Sequence, residues 1–181
     1  MRMPKLNREN KQLYKTMIFL WRLMLLSIPL YVVLTFAIDL GFLQNIVATQ
    51  SFWMLSFTGL TVAQDGPSLT VGLDDEYQQP FYFIISEDST GWKSLLFFTA
   101  LVIAVPEIHN RKRIIGLCLL PAVWIGNLFR IWIIVMIERS YGFEAAMIAH
   151  DYLWRVGLIV LVVGLWLLWL KYVKPISNKN K

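Results

Sequence analysis

Ser86-Glu87-Asp88-Ser89-Thr90-Gly91-Trp92-Lys93-Ser94 leads straight into the apolar run Leu95-Leu96-Phe97-Phe98. A hydroxyl cluster therefore stands where a polar loop enters an apolar helix, read here as Trp92 to Ile108, and so at a membrane boundary. Around it, 57% of the 181 residues are hydrophobic and 14% aromatic, too apolar for a soluble domain of this size, so the chain needs lipid. The fold class expected is all-α and integral to the membrane: a multi-pass helical bundle forming one transmembrane domain over residues 1–181.

Three further apolar segments carry the same signature. Met17 to Phe36 follows Arg2, Lys5, Arg8, Lys11 and Lys15 and contains Arg22, close enough to its end to snorkel. It reads as a retained helix and not a cleaved leader, because its apolar stretch is long and no small-residue cleavage site is evident. Ile114 to Ile137 contains Pro121 and Gly126, either of which can bend it. Tyr152 to Leu170 carries Trp154, Trp166 and Trp169, read as interfacial anchors, with Arg155 near its outer end. Basic residues lie before the first span, in His109-Asn110-Arg111-Lys112-Arg113 after the second, and at Lys171, Lys174, Lys179 and Lys181 after the last, so all three are expected on the cytoplasmic side.

Phe42 to Val62 is apolar but diluted by Gln44, Asn45, Thr49, Gln50, Ser51 and Ser56. It is read as interfacial or re-entrant in preference to a full crossing, because that parity keeps Ser89 outside and the basic turn after its helix inside. Asp65 to Asp88 is the one sizeable polar insertion, acidic and free of lysine and arginine. Ser68 to Leu73 and Phe81 to Ile85 look strand-like around its acidic turn of Asp74, Asp75 and Glu76, so a small extracytoplasmic β-hairpin is expected as a roof.

The formal charge of +5 sits in short blocks beside apolar segments, a pattern of membrane flanks and not of nucleic-acid binding. The single cysteine, Cys118, allows no disulfide within the chain. Zinc needs three or four ligands and only one histidine falls on the outer side, so neither metal nor cofactor is expected. There is no convincing internal repeat.

Two ionisable groups stand where membrane helices ordinarily avoid them. Arg130 lies roughly 10 Å below the outer end of its span by helical rise, where a guanidinium costs about 2.5–3.5 kcal/mol unless partnered. Asn127 is its neighbour one turn away. Either Arg130 is structural and pairs with a loop carboxylate such as Glu87 or Asp88, or it serves a site. His150 opens the last span beside Asp151, as a cap or as an acid and base. Ser86, Ser89 and Thr90 are helix caps, or Ser89 is a nucleophile whose carbonyl target meets free N–H groups of the first turn after Gly91. Histidine is the side chain best able to take a serine proton near neutrality. His109 falls on the opposite side and is set apart from this group.

The order of Ser89-Thr90-Gly91-Trp92-Lys93-Ser94 opening one helix, Asn127-Leu128-Phe129-Arg130 late in the next and His150 before the last resembles the archaeosortase/exosortase family. Those multi-pass proteins carry Cys-(Ser/Thr)-Gly with a downstream serine, Asn-x-x-Arg, and a histidine ahead of the final helix. The likeness covers about Ser86 to Leu170, and the Trp-Lys-Ser continuation is closer to archaeosortases. Ser89 stands at the position of the family's nucleophilic cysteine. Cys118 does not replace it, lying roughly 28 Å from the outer end of its helix.

Carried over, the resemblance implies Ser89 as nucleophile, Arg130 as stabiliser of the oxyanion or acyl carbonyl, and His150 as acid and base, supported by Asn127 and Gly91. It implies cleavage of a C-terminal sorting signal on a membrane-anchored protein, with transfer of the new end to an amine or lipid acceptor. The expected setting is the cell membrane, with the active site extracytoplasmic and membrane lipids as neighbours. The alternative is a homologue that binds sorting signals or assists envelope assembly without cutting. A rhomboid-like protease lacks support because Ser-Thr-Gly is not Gly-x-Ser-Gly, and a transporter because the cluster does not continue across the bilayer.

Overall fold

The computed structural model of the chain describes residues 8–36, 38–72 and 79–173, with the side chains of Arg8, Glu9, Trp154 and Arg155 left aside. The expectations placed on Arg2, Lys5, Arg8, Asp74, Asp75, Glu76, Trp154, Arg155, Lys174, Lys179 and Lys181 lie outside that description.

The first apolar segment forms α1 (Arg8–Leu26) and α2 (Ile28–Thr35), interrupted only at Ser27. Pro29 in the first turn of α2 has no N–H to continue the ladder, and Ser27 Oγ donates instead to the Met24 carbonyl at 2.7 Å. Asn10–Thr35 is long and apolar enough to cross a membrane. Its Leu20, Trp21, Met24 and Leu34 are exposed, an arrangement that lipid tolerates and water does not.

The diluted segment becomes α3 (Gly41–Phe57) followed by β1 (Val62–Asp65). With β2 (Ser68–Val71) and β3 (Phe81–Ile84) it builds an antiparallel sheet of order β1-β2-β3, registered Val62↔Val71 and Ser68↔Ile84. The hairpin expected from the polar insertion is thus β2 and β3, and β1 is an addition to it. A two-residue link, Gly66-Pro67, joins β1 to β2 with Gly66 at φ +57°.

A short 3₁₀ turn (Glu87–Thr90) leads into α4 (Trp92–Ala104), then α5 (Asn110–Leu117) and α6 (Leu120–Tyr141). Helix α4 ends four residues before the expected boundary at Ile108, because Val105 precedes Pro106 and turns extended, with φ −59° and ψ 120°. The basic stretch expected as a turn is the start of α5, and the bend expected at Pro121 or Gly126 falls at Cys118 and Leu119, immediately before Pro121. Taken with α5, α6 belongs to the second stretch able to cross a membrane, Asn110–Tyr141. The last segment starts earlier than its hydropathy indicates: α7 (Phe143–Tyr152) runs through a π-helical turn (Leu153–Gly157) into α8 (Leu158–Val173). Helices α4 and α8 are shorter apolar helices.

Helix α6 joins two cores. One face packs Val123 with Phe98 and Leu101 of α4 and Val162 and Trp169 of α8, with Phe19 and Leu23 of α1 against them. The other packs Ile131 and Val135 against Val47 and Leu55 of α3 and Leu69 and Val71 of β2. Trp166 and Trp169, expected as interfacial anchors, point inward: their indole N–H groups donate to the Leu101 and Lys112 carbonyls, and Trp169 is only 2% exposed. The Leu101 carbonyl is among the last four of α4, which have no partner within the helix, so Trp166 supplies one.

Candidate functional site at the junction of the loop and two helices

Ser86 is extended (φ −71°, ψ 161°) and makes no side-chain cap bond. Ser89 N donates to the Ser86 carbonyl at 2.9 Å, and the two hydroxyls, Ser86 Oγ and Ser89 Oγ, also lie 2.9 Å apart. Thr90 is fully buried with its hydroxyl on the Glu87 carbonyl. The residue capping α4 is Gly91, at φ +80°, so none of the three hydroxyls caps that helix. The capping role considered from sequence is therefore not the one these side chains adopt.

Asn127 and Arg130, one turn apart on α6, are 2% and 4% exposed. Both reach the same atom: Asn127 Nδ2 donates to the Ser89 carbonyl at 3.0 Å and Arg130 Nη2 at 3.1 Å. Two helical donors thus hold the backbone of the loop that presents the Ser89 hydroxyl. Arg130 Nε and Nη1 have no hydrogen-bond partner among the described residues. Among the described residues the carboxylate pairing considered for Arg130 does not form: neither Glu87 nor Asp88 makes an ion pair with it, and Asp88 Oδ1 is taken by Lys93. A buried guanidinium that no described carboxylate pairs with, and with two N–H edges uncommitted among the described residues, is a costly arrangement for stability alone.

His150 lies in the last turn of α7 and not at the start of a helix, with Nδ1 3.7 Å from Asp151 Oδ1 and no hydrogen bond to Ser89. The structure nonetheless brings Ser89, Arg130 and His150 to one cavity of about 310 Å³, walled by β3, α6 and α7. Asn127 holds the Ser89 carbonyl and Gly91 lies against Asn127, and neither lines the cavity. Sequence reasoning missed Ser86, Glu138 and Ile134 as lining residues. Their spacing was available, since Ser86 is three residues before Ser89, and Ile134 and Glu138 stand four and eight after Arg130. Cys118 is exposed and away from the cavity. Among the described residues no group of His, Cys, Asp and Glu could hold a metal ion.

Gly91 is pinned by geometry. A Cβ there would stand 2.8 Å from Asn127 Cγ on a backbone that L side chains rarely adopt. Gly91→Ala is expected to destabilise by about 1–2 kcal/mol through the backbone and a further 1–3 kcal/mol through overpacking. Thermal unfolding in detergent micelles checks this. Asn127→Ala in the Gly91→Ala background should recover only the packing part, and full recovery would locate the whole cost in the contact.

No curated protein and no solved structure matches the chain. The family model described as Transmembrane exosortase (Exosortase_EpsH) matches residues 10–170. That span contains both long apolar helices and every residue of the cavity, and it supports a sortase-like membrane enzyme in general. The chain belongs to the transmembrane exosortase family.

Proposed function

We propose that this exosortase is a multi-pass intramembrane serine peptidase or transpeptidase, with its cavity open to the extracytoplasmic side. Its substrate is a membrane-anchored protein with a C-terminal sorting signal. The observation that carries this reading is the shared cavity of Ser89, Arg130 and His150, in which none of the described residues forms an ion pair with the buried guanidinium.

In the first step Ser89 Oγ bonds to the scissile carbonyl carbon and its proton passes to His150. Negative charge gathers on the carbonyl oxygen, and the uncommitted Nε and Nη1 of Arg130 are the donors that meet it. Breakage of the C–N bond sends the proton from His150 to the departing amine and leaves an ester on Ser89. An acceptor amine, a lipid hydroxyl or water then attacks the ester, gives its proton to His150, and Ser89 leaves with that proton. Helix α3 lies against the sheet and α6, which suits an interfacial position beside the cavity.

A fluorophosphonate probe should phosphonylate Ser89 in detergent-solubilised protein, and the labelling should vanish in Ser89→Ala and fall steeply in His150→Ala. Co-expression with membrane-tethered proteins, followed by mass spectrometry of their C-terminal ends, provides the second readout. Absence of both labelling and processing would replace the enzyme reading with that of a homologue that binds sorting signals without cutting them.

A further inference from the structure

The cavity wall includes Tyr82, Phe83, Ile84 and Ile85 in succession. Side chains of a strand alternate between faces, so a cavity that meets four consecutive residues meets the strand along its edge. Strand β3 is the terminal strand of the order β1-β2-β3. Which backbone groups its free edge presents follows from the ladder. Ile85 N donates to the Pro67 carbonyl, making Pro67 and Ile85 a hydrogen-bonded pair. Alternation in the Ser68↔Ile84 register then makes Leu69↔Phe83 and Val71↔Phe81 the next such pairs. The N–H and C=O groups of Tyr82 and Ile84 therefore point away from β2.

The other side of the sheet gives the same answer. Gly72 N donates to the Thr61 carbonyl, so Ser68 and Thr70 bond to β1 and leave Leu69 and Val71 for β3. Among the described residues nothing pairs with the outward groups of Tyr82 and Ile84, whose side chains are 76% and 59% exposed. A free, apolar edge of this kind is a template for another strand. It is also continuous with the reactive end of the cavity, because Ser86 and Ser89 line the same space directly after β3.

We propose that the β3 edge is the docking surface for the substrate backbone: an extended segment of the protein to be cut adds as a fourth strand beside Tyr82–Ile84. It lies between β3 and helices α6 and α7, and its scissile carbonyl is delivered to Ser89. Recognition on this edge is by main-chain hydrogen bonds, so it accepts a polyalanine backbone. The delivery step rests on the nucleophile assigned to Ser89 above, whereas strand addition itself does not.

Two probes separate the claims: a simple fluorophosphonate, and a trialanyl diphenyl phosphonate with or without backbone N-methylation. The trialanyl probe should label the native protein faster than its N-methylated form by about tenfold, the worth of one to two hydrogen bonds. Tyr82→Pro and Ile84→Pro remove outward N–H groups that the sheet does not use, a substitution edges tolerate. They should lower trialanyl labelling to a similar degree and lower it several-fold more than fluorophosphonate labelling, while Tyr82→Thr and Ile84→Thr, which keep the N–H, should lower trialanyl labelling several-fold less than the proline variants do.

Equal rates for the methylated and unmethylated probes would overturn edge docking even if Ser89 is labelled. In Ser89→Ala, where no phosphonylation occurs, a diazirine-bearing tetra-alanine peptide should cross-link to residues 82–84 and lose that cross-link on N-methylation. This second readout decides edge docking when neither phosphonate reacts, an outcome that would remove only the nucleophile.

Discussion

Arg130→Met is expected to fold at least as stably as the parent and to lose turnover by about 10²- to 10³-fold, the usual cost of deleting a preorganised donor to a developing oxyanion. The two halves of this expectation have one cause. Arg130 is 4% exposed, and among the described residues it donates through Nη2 to the Ser89 carbonyl and leaves Nε and Nη1 without partners. In a protein built for stability alone that guanidinium would be replaced by an apolar side chain at neutral or favourable cost. Its lost bond to Ser89 is backed by Asn127 Nδ2 on the same oxygen, so the loop keeps one of its two anchors.

Arg130→Lys separates charge from geometry. A lysine carries the charge but not the planar fork that contacts the Ser89 carbonyl and still presents two N–H edges, so its loss of turnover should approach that of the methionine variant. Thermal midpoints in micelles and quantification of processed C-terminal ends measure the two halves independently. Near-normal turnover by Arg130→Lys would reduce Arg130 to charge compensation. A marked fall in the midpoint of Arg130→Met would make it a structural residue.

Hydropathy made the apolar segments legible but not their ends. The expected boundaries followed the apolar residues, whereas the helices follow proline: α2 restarts beside Pro29, α4 stops before Pro106, and α6 restarts beside Pro121. Lost N–H donors and the restricted residue before proline act locally and leave mean hydropathy unchanged. Strand β1 was missed for a related reason. Val62 to Asp65 closes an apolar segment, and the Asp65-Gly66 turn signal coincides with the start of the polar insertion.

The cavity was legible as three residue types in order along the chain. What a single sequence hides is the contact across it: Asn127 and Arg130 reach a backbone oxygen 38 and 41 residues away, and no side-chain pattern announces a backbone acceptor. The inward turn of Trp166 and Trp169 is hidden likewise, since an indole at a span end reads the same whether it faces lipid or a backbone carbonyl. The free edge of β3 follows from the register of β2 against β3, which no side-chain pattern announces.

Ser89→Cys and His150→Ala, alone and together, are expected to be strongly non-additive. With serine in place the attacking oxygen needs a base in the transition state, so His150→Ala should lower the phosphonylation rate by about 10²- to 10⁴-fold. A thiol ionises far more readily and is the better nucleophile, so Ser89→Cys should retain turnover and gain reactivity toward iodoacetamide. The same His150→Ala change in the Ser89→Cys background should then cost less, because part of the proton is already gone before attack. The geometry makes this a test of proximity as well as chemistry. His150 lines the cavity with Ser89, yet the serine hydroxyl is hydrogen-bonded to Ser86 Oγ at 2.9 Å and not to the imidazole. Proton transfer to His150 requires a Ser89–His150 hydrogen bond that a docked carbonyl would favour. Iodoacetamide alkylation rates for the single and double variants measure the coupling in the thiol form, and fluorophosphonate rates measure it in the hydroxyl form. Equal factors for His150→Ala in the two backgrounds would show that the imidazole acts on the shape of the cavity and not on the proton.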